Sequence, residues 1–402
     1  MSIFANLSPL DHRYQASDPE LWRELSSILS EEGYIRYQMQ VESALVQALE
    51  DRGICPAGAA AQVKAACGRI TPEDVRREEE KTRHNIRALV NCIQREVDES
   101  VRPFIHLSAT SADIMDTARA LQLREAVTKC ILPRLKEFMA VLINLAETTA
   151  HTPAVGRTHG QHGVPITFGF AVAEYISRLG GRLQELVRAR DNLRGKLAGA
   201  VGAYNASSLL LADPIEFERE ALSLLGVLPG DHSTQIVEPE YVLDLAHALI
   251  STFGVLANFA DDMRHLQRTE LSEVGEAFAP GQVGSSTMPH KRNPWNFEHV
   301  KSMWKAFMPR MMTVYMDQIS EHQRDLTNSA SGRFVVEIAA ALTMAVQRLI
   351  RITRKLAVDE QQMRENLNRS AHLIAAEPLY ILLAAHGHPD AHEAVRRLTL
   401  AA

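Results

Sequence analysis

Four polar stretches carry side chains able to do chemistry, and each interrupts a helical pattern where a helix begins or ends. The densest is GSSTMPHKRNP, Gly284–Pro294, with two serines, a histidine, a lysine, an arginine and an asparagine between a glycine and a proline. It follows VGEAFAPGQVGSS, where Gly275, Pro280, Gly281 and Gly284 predict a turn-prone loop of the sort that closes over a substrate. Solvation alone explains neither the apolar Met288 nor the two prolines that stiffen the segment. In GRTHGQHGVP, Gly156–Pro165, His159 lies between Arg157 and glycines that let a ligand approach the backbone. A histidine near its ordinary pKa can donate or take a proton. His159 and His162 have the spacing of a metal pair, but no acidic or cysteine ligand is fixed beside them, so no metal is expected. His162 also reads as a satisfied structural histidine.

In ATSADIMDTA, Ala109–Ala118, Ser111 or Asp113 is predicted to cap the following helix. Its free amides, with the hydroxyls of Thr110 and Ser111, would face one point suited to a carboxylate, although a plain cap is the simpler account of this stretch alone. KTRHNI, Lys81–Ile86, is the fourth stretch. Further on, RDLTNSASGR sets Arg324 and Arg333 nine positions apart with Ser329 between them, a phosphate-clamp pattern that is weak by itself.

The elements that position these stretches read as helices. Ile131, Leu135, Phe138, Leu142 and Leu145 are spaced 4, 3, 4, 3, and Leu249, Leu256, Phe259, Met263 and Leu266 are spaced 7, 3, 4, 3. Thr167 to about Leu197 reads as a third long helix, buried on most sides. Few stretches alternate with the strand period. Long helices joined by short turns fit an antiparallel bundle whose outer apolar faces need a second bundle, so an oligomer is expected. Residues 1–107 read as a small domain of shorter helices, with Thr71 as a cap and Pro72 at the first helical position. Residues 108–356 hold the long helices and the loop 275–294, and 357–402 form a short helical C-terminal domain.

A chain of 402 residues, 46% hydrophobic and 23% charged, is long enough to bury a large core. A net charge of −6 gives no electrostatic case for nucleic acid or an anionic membrane. Cys55, Cys67, Cys92 and Cys130 lack CxxC spacing, so neither disulfides nor a zinc knuckle is suggested. With no leader pattern and no uncharged apolar run of about 18 residues, the cytoplasm is the default location.

GSSTMPHKRNP resembles the GSSxMPxKxNP signature of the fumarase/aspartase superfamily, whose members eliminate fumarate or a related acid from a substituted succinate. The likeness extends almost end to end: SPLDHRY, TRHNI, ATSADIMDTA, GRTHGQ, GAVGAYNA, TQI at Thr234–Ile236, the signature loop and RDLTNSASGR. Argininosuccinate lyase and fumarase share the middle motifs. RDLT-x-S-x-x-x-R is similar to the nucleotide-phosphate site of the branch that cleaves succinylated purines, releasing AMP from adenylosuccinate and AICAR from SAICAR. The resemblance implies an all-α fold of three mostly helical domains, a twenty-helix core in a homotetramer, and active sites shared between three subunits.

The same resemblance implies roles for single residues. Ser285 would be the general base, His159 the general acid, and Lys291 and Asn293, with Thr110 and Ser111, the stabilisers of the aci-carboxylate. Arg13, Tyr14, His84, Gln235, Ser286, Met288, Arg324, Ser329 and Arg333 would bind substrate, with no cofactor and no metal. The pattern departs from the family at three places: Asn85 stands where an aspartate is usual, and Ser108 and His12 where glycine is common. Asn85 marks the main rival, a fumarate-releasing lyase of the same superfamily with another leaving group, such as an argininosuccinate lyase-like enzyme. A non-catalytic binding or structural homologue is the rival from another class.

Overall fold

The computed structural model describes residues 3–277, 281 and 284–401; Pro280 of the loop lies outside the described residues. Helices dominate, and the longest are Glu31–Asp51, Phe168–Asp191, Glu240–Leu266 and Val335–Thr353. The chain divides into two compact units, each built from three stretches. The first comprises residues 1–133, 182–251 and 305–344, the second 134–181, 252–304 and 345–402.

In the first unit the Glu31–Asp51 helix packs against Ala59–Cys67 and Ser111–Glu125. Val41, Leu45, Val46 and Leu49 are fully enclosed and form one face at helical spacing. Each such side chain, moved from water to the interior, contributes about 1.5–3 kcal/mol. Pro72–Thr82 starts as its sequence predicts: Thr71 Oγ1 accepts from the Asp74 amide at 3.2 Å, and the Asp74 carboxylate accepts from the Thr71 amide at 3.1 Å. The cap of Ser111–Glu125 differs from the expectation. Neither Ser111 nor Asp113 is the cap; Thr110 is, with Asp113 at the third helical position reaching back to the Thr110 amide at 2.8 Å. This placement leaves Ser111 at the first helical position, half-buried.

The approach to that helix is strained. His106 has φ +62° and Ser108 φ +65°, the left-handed region that costs a side-chain-bearing residue about 1–2 kcal/mol. Glycine would remove that cost at a penalty of about 0.5–1 kcal/mol in chain entropy. Ser108→Gly is therefore expected to stabilise the protein by about 0.5–1 kcal/mol; a urea midpoint at or below that of the parent contradicts this account.

In the second unit Phe259 is the centre of an aromatic cluster, with ring centroids 5.6 Å from Phe138, 5.2 Å from Tyr175 and 6.4 Å from Phe297, all edge-on. Such pairs add about 0.5–1.5 kcal/mol each beyond their burial. Leu135, Phe138, Leu142, Leu256, Phe259 and Met263 are all buried, as their spacing requires. The third long helix spans Phe168–Asp191 and stops about six residues short of the expected end, giving way to a short strand at Arg194–Gly195. Glu240–Leu266 is long and apolar enough to cross a membrane by composition, but most of its apolar window is buried inside the protein, as in a core helix.

The main element the helical reading misses is a hairpin. Pro153–Thr158 and Gln161–Thr167 are antiparallel strands, with Thr158 opposite Gln161, so only His159 and Gly160 form the turn. His159 has φ +54° and Gly160 φ +75°, the signs of a two-residue hairpin turn matched to strand twist. A bulge between Val155 and Arg157 shifts the register within the ladder. The Glu360–Asn368 helix packs on the first of these strands.

Candidate active site

In the second unit the hairpin is held by a buried charge network. The Arg157 guanidinium grips the Glu273 carboxylate with both terminal nitrogens, one of them at 3.0 Å, and Glu273 is 2% exposed. Asn366 donates to the same carboxylate at 2.8 Å and to the Leu271 carbonyl at 2.8 Å. His162 contacts the Ser370 hydroxyl through Nδ1, and burial together with nearby Arg157 lowers its pKa. That makes it the structural histidine of the pair. His159, one turn residue away from the braced strands, is exposed at the tip.

The GSSTMPHKRNP loop is organised around one hydroxyl. Ser285 Oγ accepts from the Met288 amide at 3.1 Å and from the Thr287 amide at 3.4 Å. Two backbone donors aimed at one oxygen favour negative charge there, the arrangement a serine base requires. Asn293 closes the loop by donating from Nδ2 to the Gly284 carbonyl at 2.8 Å. At its far end, buried Glu276 accepts from the Asn296 side chain at 2.7 Å and the Phe297 amide at 2.9 Å, anchoring the start of the Trp295–Phe307 helix. Burial raises the Glu276 pKa. Ser286, Met288 and Lys291 are exposed.

In the first unit two of the motifs meet. His84 caps the Asn85–Arg95 helix and accepts the Arg87 amide at Nδ1, 3.3 Å. An accepting Nδ1 carries no proton, so in the neutral ring the N–H is Nε2, which faces Ser111 Oγ at 3.5 Å. Asn85 Nδ2 lies 3.4 Å from Met115 Sδ. Thus KTRHNI and ATSADIMDTA meet at the start of the Ser111–Glu125 helix. Gln235 is tied through its amide to the Gln323 carbonyl at 3.0 Å, beside Arg324. Gly202 of GAVGAYNA permits a neighbouring close approach: at φ +76° a Cβ there would stand 2.0 Å from the Ser233 carbonyl oxygen.

Arg324 is the least satisfied cation of this group. Its Nε and one terminal nitrogen are buried with no hydrogen-bond partner among the described residues, and the other terminal nitrogen reaches only the Asp317 carbonyl at 3.5 Å. Its backbone stands at φ +139°, a conformation rare for a side-chain-bearing residue. Next to it Asp325 organises the turn, accepting from the Thr327 amide at 2.9 Å and hydroxyl at 2.6 Å, contacts that hold its pKa down to about 2. Ser329 and Arg333 are exposed, as is Arg13, while Tyr14 is half-buried. Asp11, in the Arg13 segment, is close enough to Glu337 to help raise its pKa, though burial raises it more.

Sequence reasoning overlooked two residues here. Burial pushes the Asp116 carboxyl up to about 6, although it accepts the Val237 amide at 3.0 Å. Lys196 is fully buried just before GAVGAYNA, and nothing in the sequence sets it apart from its charged neighbour Arg194.

A chain with this helical core and an amide-cradled serine loop falls in the fumarase/aspartase class of lyases, and a lyase family model matches residues 12–307. The C-terminal family model of adenylosuccinate lyases matches residues 320–402. An adenylosuccinate lyase of Thermotoga maritima is 35% identical over 94% of this chain and 86% of its own length. An N-acetyl-S-(2-succino)cysteine lyase of Dickeya dadantii is 31% identical over 94% of this chain and 83% of its own. Among solved structures, the 3-carboxy-cis,cis-muconate lactonizing enzyme of Pseudomonas putida superposes with a TM-score of 0.83 at 28% identity, covering 95% of this chain and 86% of that one. The chain belongs to the adenylosuccinate lyase family.

Proposed function

We propose that this enzyme eliminates fumarate from adenylosuccinate and from SAICAR, releasing AMP and AICAR. Ser285 removes the proton from the carbon beside the carboxylate being activated. The electron pair enters that carboxylate as an aci-anion, and Lys291, Asn293, Thr110 and Ser111 offset its charge. The carbon–nitrogen bond then breaks, and His159 protonates the departing nitrogen. Arg13, Tyr14, His84, Asn85, Gln235, Ser286 and Met288 would contact the substrate, and Arg324, Ser329 and Arg333 its phosphate.

The observation that carries this choice is Arg324. A half-buried guanidinium with two enclosed, unpartnered nitrogens calls for an anion. A nucleoside monophosphate supplies a phosphate with acceptor oxygens enough for both nitrogens, whereas an S-succinylated cysteine offers carboxylates only. Fumarate release from adenylosuccinate and SAICAR, followed by absorbance, is the direct test; turnover of neither sinks the proposal. Charge-assisted hydrogen bonds contribute about 1.5–3 kcal/mol each, so losing two raises KM about 100-fold or more. Arg324→Met is thus expected to raise KM about 100-fold with kcat changed far less, and an unchanged KM refutes the phosphate assignment.

The family likeness also supports a cytoplasmic homotetramer with sites shared between three subunits. Met312, Met316 and Ile319 are 57%, 66% and 80% exposed, an apolar surface suited to a second copy. A monomer in sedimentation at micromolar protein contradicts the assembly.

A further inference from the structure

We propose that Lys196 is a positioning residue for the reaction: it holds Asp113 ionised, and Asp113 in turn fixes the Thr110 amide at the start of the Thr110–Ser111 cradle. The inference rests on the proposed role of that cradle in binding the substrate carboxylate.

Lys196 and Asp113 form an ion pair in which both side chains are fully buried. Lys196 Nζ also donates to the Gly199 carbonyl at 3.1 Å. Asp113 accepts from the Thr110 amide at 2.8 Å and from the Gly199 amide at 3.2 Å. One carboxylate therefore binds the cradle on one side and GAVGAYNA on the other, and Lys196 is the cation beside it. Further contacts lock the geometry. Thr117 Oγ1 accepts the Lys196 amide at 3.0 Å and donates to the Lys196 carbonyl at 3.1 Å. Glu218 accepts the Leu197 amide and the Tyr204 hydroxyl, both at 2.6 Å.

Removing one partner of a buried pair leaves an uncompensated charge, and the remaining group neutralises. The other titratable groups facing Asp113 are Asp116, Glu218, Tyr204 and His106, and the nearby carboxylates favour its protonated form. Burial already raises the Asp113 pKa against the pull of Lys196. Without Lys196 the main pull that lowers the Asp113 pKa is gone, so Asp113 keeps its proton to higher pH than in the parent. A protonated carboxyl is a poorer acceptor for two amides, so the first turn of the Ser111–Glu125 helix loosens.

The test compares Lys196→Met, Asp113→Asn and the double variant with the parent, as full chains. Expected for Lys196→Met is a loss in kcat/KM for adenylosuccinate of about 30-fold or more at pH 6.5, shrinking as the pH is raised and Asp113 ionises. Asp113→Asn shows no such recovery, and the double variant loses no more than that single variant. Hydrogen exchange supplies a readout independent of turnover: amides 110–114 should exchange at least 10-fold faster in Lys196→Met at pH 6.5 than in the parent. Unchanged exchange in those amides, or a loss that is flat with pH in a folded variant, overturns the proposal. If the parent turns over no adenylosuccinate, the substrate reading fails, while the exchange result still decides whether Lys196 braces the cradle.

Discussion

Ser285→Ala is expected to lower kcat for fumarate release from adenylosuccinate by about 1,000- to 10,000-fold, with the fold and substrate binding retained. A serine hydroxyl is far too weak an acid to serve as a base unless its alkoxide is stabilised in place. Ser285 is the loop hydroxyl whose oxygen receives the amides of Thr287 and Met288. Each well-placed donor of this kind is worth about 2.7–4 kcal/mol where charge develops, so the two together can make an otherwise unavailable base accessible. Alanine keeps the backbone geometry and loses only the oxygen. Because Ser285 is half-buried and fills no core space, the cost in stability is small. The companion substitution Ser286→Ala separates the two serines: it removes a hydroxyl proposed to bind substrate, so KM rises about 10-fold and kcat changes little. A Ser285→Ala enzyme within 10-fold of the parent, or a Ser286→Ala enzyme that is the more damaged of the two, removes Ser285 from the role of base.

The parts of this molecule that the sequence made legible are those governed by local rules. The seams through Phe138 and Phe259 follow helical period, and both rings meet in the core. Thr71-Pro72-Glu73-Asp74 carries its cap and its first-turn proline within two residues, and both act as read; the returning Asp74 carboxylate completes the cap. What escaped depends on partners distant in the chain. Thr110 rather than Ser111 or Asp113 is the cap because Asp113 is already committed to Lys196, 83 residues away. The hairpin escaped because its apolar residues do not alternate cleanly across the bulge at Val155/Arg157, and its strands are stabilised by the packed Glu360–Asn368 helix and the Arg157–Glu273 pair. The six-residue helical turn Ala126–Ile131, wound more loosely than an α-helix, joins Ser111–Glu125 to Leu132–Thr148 with no proline or glycine to announce it. The candidate site divides along the same line. Motif by motif it could be listed from the sequence, but the buried Lys196 and the unpartnered nitrogens of Arg324 are properties of packing.

His159→Asn is expected to lower kcat by about 100- to 10,000-fold, the range typical of a positioned proton donor. Asparagine is the informative replacement because position 159 stands at φ +54°, in the left-handed region that asparagine tolerates as well as histidine does. Alanine would add backbone strain to the loss of the ring and confuse the two. The hairpin should survive: its ladder is fixed by pairs from Pro153–Thr167 to Thr158–Gln161, and the exposed ring at the tip contributes little burial. The chemistry predicts a second, sharper signature. An acid that protonates the departing nitrogen matters most when that nitrogen leaves as a strongly basic anion. A substrate analogue with a more acidic leaving amine needs less help, so His159→Asn should slow it at least 10-fold less than it slows adenylosuccinate, whereas Ser285→Ala should slow both alike. If His159→Asn impairs both substrates equally, the imidazole acts on the carbon-centred half of the reaction, and the assignment of acid and base must be exchanged.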